Sequence, residues 1–164
     1  MSVPEPRARL PYSVSVKNIE RSSTIEVPVA AAFEYVDEAV NVPKWMYGVS
    51  TFEPLTEQTH GLGATFKSAM VVGPKTFPSV MKCTAWEQDK LIVMESIEGT
   101  TCVTRWKFTA LSPTSTRVDM EFGYDLGGGL GGKALNKIVE PVVGVAVSST
   151  ESKLRELLLA VHAG

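Results

Sequence analysis

Apolar and polar residues alternate through six short runs, 49–55, 64–72, 77–87, 91–98, 101–110 and 117–126, and a period of two marks strands with one buried face. The links between them, such as Thr59-His60-Gly61, Gly73-Pro74-Lys75, Gln88-Asp89-Lys90 and Gly99-Thr100, are short enough for hairpins, so the runs form an antiparallel meander. Residues 15–26 alternate in the same way and give a first strand that Pro28 stops. Pro28 also opens a short helix over 30–36 with Phe33 and Val36 turned inward, and a second helical turn carries Lys44, Trp45 and Met46. Helices this brief cannot cross a whole sheet, so they are expected to plug one end of it.

The last hairpin admits a specific register. Pairing Trp106 with Met120 sets Arg105 against Glu121 and Lys107 against Asp119, which collects opposite charges on one face. The other face then holds Thr104, Trp106, Phe108, Val118, Phe122 and Tyr124. After it the period changes. From Lys133 to Val161 the positions Leu135, Val139, Val142, Val143, Ala146, Thr150, Leu154, Leu157, Leu158 and Val161 follow helical spacing in one stripe. This helix is roughly 43 Å long at 1.5 Å per residue and finds its partner in the apolar face of the sheet. Pro141 lacks a backbone donor and is expected to kink or break the helix just before it, lifting the preceding turns from the sheet. Sheet and helix then either pack solid or enclose a pocket.

The glycine tract Gly127-Gly128-Gly129-Leu130-Gly131-Gly132 satisfies GxGxxG, and with Lys133 it mimics a phosphate loop. Ala134 stands where a magnesium-binding hydroxyl belongs, and no later strand exists to build a parallel sheet. The tract is therefore read as a flexible joint that swings the helix back over the sheet.

A length of 164 residues suits a single domain over 15–164, preceded by a proline-rich extended or disordered arm over 1–14. Sixteen basic against eighteen acidic residues, with no basic stripe, argue against nucleic acid as a partner. The arm has no apolar core segment of a secretory signal, and the most apolar stretch, 138–147, is too short and interrupted to span a membrane. Cys83 and Cys102 lack metal or redox spacing and read as buried reduced thiols, so a cytoplasmic protein is expected. It is expected to be a monomer or weak homodimer, with transient membrane contact left open.

Catalytic sets are sparse. His60 lies in a loop and His162 in the tail, which leaves no histidine metal site and no serine–histidine pair, and no metal or cofactor is expected. Alternation sends Asp119, Glu121 and Asp125 to the wet face, whereas the strand of Glu95 is apolar on both parities. The candidate acid–base groups are thus Tyr124 and Glu95. What remains is an apolar lining rich in methionine, with Met46 and Met81 among its elements, which suits a ligand pocket and plain core filling equally. The candidate ligand-binding residues are Trp45, Phe66, Ser68, Met70, Met94, Ser96, Thr104, Trp106, Met120, Phe122, Tyr124, Leu135, Val139 and Val142.

The order of elements, with Ile25-Glu26-Val27-Pro28-Val29-Ala30-Ala31-Ala32-Phe33-Glu34-Tyr35-Val36-Asp37, Asn41-Val42-Pro43-Lys44-Trp45, Gly61-Leu62-Gly63-Ala64, Cys83-Thr84-Ala85-Trp86-Glu87 and Thr116-Arg117-Val118, resembles the START-like (SRPBCC) helix-grip superfamily. The resemblance is to its polyketide cyclase/dehydrase and lipid transport branch and covers residues 15–161. It implies an α+β fold in which a seven-stranded antiparallel sheet curves around a long C-terminal helix, with two short helices after the first strand and a tunnel for a hydrophobic molecule. It also implies that Trp45 lies near the tunnel end. The expected function is binding and shielding or transport of a lipid, quinone or polyketide-like molecule, leaning away from catalysis. The alternatives are a cyclase or dehydratase using Tyr124 and Glu95, and an interaction module with a solid interior.

Overall fold

The computed structural model describes residues 17–127 and 129–163, and the arm expected over 1–14 lies outside them. Along the chain run β1 (Lys17–Ile25), α1 (Val29–Asp37), a 3-10 turn (Ala39–Asn41), α2 (Val42–Trp45), β2 (Val49–Pro54), β3 (Thr65–Val72), β4 (Lys75–Glu87), β5 (Leu91–Gly99), β6 (Thr101–Ser112), β7 (Ser115–Asp125) and α3 (Gly129–Ala163). The strands form one antiparallel sheet in the order β1-β7-β6-β5-β4-β3-β2. Six of them make the expected meander, and β1 adds to the free edge of β7, pairing from Lys17 with Tyr124 to Ile25 with Thr116. Because β1 and β2 hold opposite edges, the α1–α2 segment has to travel from one edge to the other. It does so against β6, β7 and α3 and closes one end of the sheet. Register shifts in β2, β4, β5 and β6 bend the strands, as bulges do, and curl the sheet around α3.

The register of the last hairpin is the one the charges predict: Trp106 faces Met120, Arg105 faces Glu121 and Lys107 faces Asp119. On that outer face Arg117 Nε donates to Asp119 at 3.0 Å and Asn18 donates to Glu121 at 3.1 Å. The inner face carries the core. Phe33 of α1 meets Trp86 and Phe108 edge to face, with ring centroids 5.6 and 5.3 Å away, and Leu154 and Leu158 of α3 fill the same cluster beside Ile25 and Val118. The fully buried Thr116 hydroxyl donates to the Val27 carbonyl at 2.8 Å, which satisfies a polar atom inside that core.

Two expectations for α3 change. Of the kink or break expected before Pro141, the break is absent, since α3 runs unbroken through it. Pro141 and Lys137, the residue whose carbonyl loses its intrahelical partner, are both exposed, so water can take the place of the missing donor. The glycine tract is not a loose joint, because the helix already starts at Gly129, a full turn before Lys133. Gly127 and Gly129 take φ of 92° and 73°, and a Cβ on Gly132 would collide with the Gly127 carbonyl, so these three positions call for glycine.

Farther on, the stripe holds. Val139, Thr150, Leu154 and Leu158 are buried, with Val147, which the stripe omitted, but Val161 is 61% exposed because α3 has passed the edge of the sheet by then. Arg155 fastens this half to β1, donating to the Thr24 carbonyl at 2.8 Å and to Ser23 Oγ at 2.6 Å. The Tyr47 N–H adds a bond to Thr150 Oγ1 at 3.0 Å.

Candidate functional site

Sheet and helix do not pack solid along their whole length. Where the leucines of α3 give way to Val139, Val142, Val143, Ala146 and Val147, a cavity of about 190 Å³ opens between α3 and the inner face of the sheet. Thr104, Trp106, Phe122 and Tyr124 form its floor, Ser68, Met70, Met81 and Met94 one flank, and Trp45, Met46 and Tyr47 the wall supplied by the α2–β2 link. From Val139 to Thr150, the first and last lining residues on α3, the helix advances roughly 16 Å at 1.5 Å per residue. A second hollow of about 410 Å³ lies on the surface, where Glu87, Asp89, Lys90 and Lys107 border the apolar side chains of Val29, Leu91, Phe108 and Ala110.

Of the residues singled out from sequence, Trp45, Ser68, Met70, Met94, Thr104, Trp106, Phe122, Tyr124, Val139 and Val142 line the cavity. Four do not. Phe66 is stacked on Phe52 at 4.8 Å in a separate cluster with Ala39, Ala64 and Cys83. Met120 shares the face of Phe122 and Tyr124 but lies farther along β7, where Leu154 and Leu158 have already filled the space. Ser96 spends its hydroxyl as acceptor for the Cys102 N–H at 3.0 Å, and Leu135 sits one turn of α3 before Val139, outside the lining.

Glu95 is also corrected: it pairs with Lys82 and Val103, and since its neighbour Met94 points inward, strand alternation turns Glu95 outward. The residues that sequence reasoning missed include Cys102, which shares the parity of Thr104 and Trp106, and Phe77 and Ser79, which share that of Met81, so each had a readable signal. Asp37 had none, because its partner is 49 positions away.

Among the described residues, Asp37 is the one carboxylate in the lining, and no lysine, arginine or histidine joins it. It ends α1 half-buried and accepts the Trp86 indole N–H at 3.1 Å. Burial raises its carboxyl above the ordinary range, with a small push from Glu38, against the lowering from the Trp86 bond and His60. Burial, and then the charge of Glu140, raises the Tyr124 phenol, so it stays a proton donor at neutral pH. Both thiols stay protonated as well: burial and then Asp37 push Cys83 up to about 11, and burial raises Cys102, whose Sγ lies 3.5 Å from Met81 Sδ. The walls are thus apolar, with a few neutral donors and one carboxylate. His60 pairs with Glu38 at 2.7 Å outside the lining, and no cluster of three metal-ligating side chains occurs among the described residues.

A raised native carboxyl keeps its proton to higher pH than the unfolded chain does, so stability falls as pH rises from the unfolded toward the folded pKa. Asp37→Asn, which retains an oxygen acceptor for Trp86, is therefore expected to stabilise the fold at pH 7. The gain should shrink toward pH 4, where the wild-type group is increasingly protonated. Urea denaturation at both pH values checks this, and an equal gain at both would contradict it.

Residues 17–158 match the family model for polyketide cyclase / dehydrase and lipid transport. Protein TTHA0849 from Thermus thermophilus has a similar structure, with a TM-score of 0.74 at 19% identity, over 88% of this chain and 99% of that one. The Zhui aromatase/cyclase from Streptomyces sp. R1128 gives 0.69 at 14% identity, over 88% and 94%. A START superfamily protein from Mycobacterium smegmatis gives 0.66 at 10% identity, over 85% and 98%. At these identities the likeness is one of fold. No curated protein matches the sequence.

Proposed function

Because the chain belongs to the polyketide cyclase/dehydrase and lipid transport family, within the START-like helix-grip superfamily, we propose that it binds and shields a hydrophobic small molecule in the cavity between the sheet and α3. The observation that carries this reading is the apolar lining, broken only by a few neutral hydroxyls, thiol and indole groups and by Asp37. Such a lining favours a ligand through burial of apolar surface, at about 25 cal/mol per Å², and leaves orientation to a few polar atoms. The ligand class is a fatty acid, quinone, isoprenoid or polyketide-like molecule. The same reading treats residues from 15 onward as one binding domain, monomeric or weakly dimeric. It places that domain in the cytoplasm, which suits two cysteines that form no disulfide. No helix among the described residues is long and apolar enough to cross a membrane.

Native mass spectrometry of freshly purified protein, with solvent extraction of anything bound, tests the proposal. A stoichiometric adduct of lipid, quinone or polyketide mass is expected. A bare protein mass, together with failure of 9-fluorenone, decanoic acid and geraniol to displace a hydrophobic fluorescent probe, would sink it.

A second reading, a cyclase or dehydratase, has one observation in its favour: the Tyr124 phenol and the Asp37 carboxyl, whose pKa burial raises, line the same cavity. Tyr124→Phe separates the two. A carrier loses one hydrogen bond at most and should keep its affinity for the extracted ligand within about tenfold. An enzyme that uses the phenol should lose turnover while binding is nearly unchanged.

A further inference from the structure

Charge enters the cavity wall at Asp37. The residue closes α1, is half-buried, and accepts the Trp86 indole N–H of β4 on Oδ1 at 3.1 Å. Its other oxygen, Oδ2, accepts no bond among the described residues. The one buried side-chain nitrogen or oxygen without a partner among those residues is the indole Nε1 of Trp45, so Oδ2 of Asp37 is not sealed in the core and keeps accessible surface.

Nothing in the described lining balances that charge, since it holds no cationic side chain. The charged groups that act on Asp37 from outside are Glu38, of like sign, and His60, whose ring is held by Glu38 at 2.7 Å. Cys83 of β4, which feels the Asp37 charge, keeps its proton and adds none of its own. Lys44 turns to Asn41 Oδ1 at 3.2 Å, and Lys133 and Lys137 of α3 are exposed, all three outside the lining. The charge that reaches the Tyr124 phenol is that of Glu140, again negative.

A hydrophobic acid is poorly matched to such a space, because its carboxylate would be buried without a cation and against a like charge. An alcohol or ammonium group meets the opposite situation and can donate to the open oxygen of Asp37. We propose that Asp37 sets the cavity's choice of head group, admitting hydrophobic molecules that carry a hydroxyl or amine donor and turning away carboxylates. This rests on the carrier reading of the cavity and narrows its ligand class by removing the free fatty acid.

Three probes with one alkyl chain, 1-decanol, decylamine and decanoic acid, test this. Their affinities would be measured by displacement of a hydrophobic fluorescent probe at pH 8, far above the ordinary aspartate range of about 4. The wild type is expected to hold decanol and decylamine more tightly than decanoate. In Asp37→Asn the amide keeps an oxygen for Trp86 and sets an N–H donor where Oδ2 stood. Relative to decanol, decanoate should then gain about 3- to 30-fold and decylamine should lose by a similar factor, the range for two charges several ångströms apart at an effective dielectric of about 20. A variant that is merely loosened would move both probes the same way. Glu38→Gln removes a neighbouring charge outside the lining and should move both ratios less. Unchanged ratios in Asp37→Asn, or equal changes in Glu38→Gln, would overturn the assignment while the cavity stands. So would a wild type that prefers decanoate to decylamine, a comparison that needs no variant. If all three probes fail to bind, and geraniol and 9-fluorenone fail as well, the carrier reading is lost and the selectivity with it.

Discussion

Replacing Phe33 by alanine should lower the unfolding free energy by about 3–5 kcal/mol, the loss seen when a large buried aromatic side chain is cut back to a methyl group. Phe33 is 1% exposed and joins three elements, touching Trp86 of β4 and Phe108 of β6 from its place on α1. Its removal leaves a void between α1 and the sheet that Ala32 and Val36 are too small to fill. Phe33 does not line the cavity, so the fraction that stays folded should bind 9-fluorenone as the wild type does. Urea denaturation measures the first effect and probe displacement the second. A loss below about 1 kcal/mol would mean that α1 is not a structural plug at all.

Thr104→Trp should have the opposite profile. Thr104 sits in the floor of the cavity between Met94 and Phe122 on neighbouring strands, and its side chain points at α3. A tryptophan there suits a strand and occupies space that is otherwise empty. Ligand affinity should fall by roughly 100-fold or more, since the added ring and the ligand compete for one volume. Stability should change by no more than about 1.5 kcal/mol, because the new side chain fills a void instead of forcing a packed core apart. Undiminished affinity in a folded Thr104→Trp protein would show that hydrophobic molecules bind elsewhere, on the surface of α3 for example.

These two substitutions also mark how far the sequence could be read. A period of two tells which face a residue takes, and the charges then fix the register, which is why the pairing of Trp106 with Met120 is found as expected. Parity does not say how the face is covered at each point along a strand. Met120 and Phe122 share a face, as do Phe66 and Ser68, yet one of each pair is sealed in a core and the other borders empty space. The difference comes from where the leucines of α3 stop and where the 3-10 turn and Phe52 begin, which are contacts distant in sequence.

The edge taken by β1 had no local signal either. It is settled by the closure of the fold, with α1 and α2 crossing from one edge to the other. Pro141 misleads for a related reason: its missing hydrogen bond is costly only where water cannot replace it, and here the site is exposed. The orphaned indole of Trp45 depends on what does not surround it, which no sequence pattern records.

The most direct measurement is a methyl spectrum of protein labelled at its methionines, titrated with 9-fluorenone, decanoic acid and geraniol. Met46, Met70, Met81 and Met94 line the cavity, while Met120 is buried in the adjoining core and serves as an internal control. If the space between the sheet and α3 holds the ligand, at least one of these molecules should shift those four methyl signals saturably and leave that of Met120 nearly still. Shifts that favour Met120, or four cavity methyls that no molecule of the three disturbs, would contradict a binding cavity at this place.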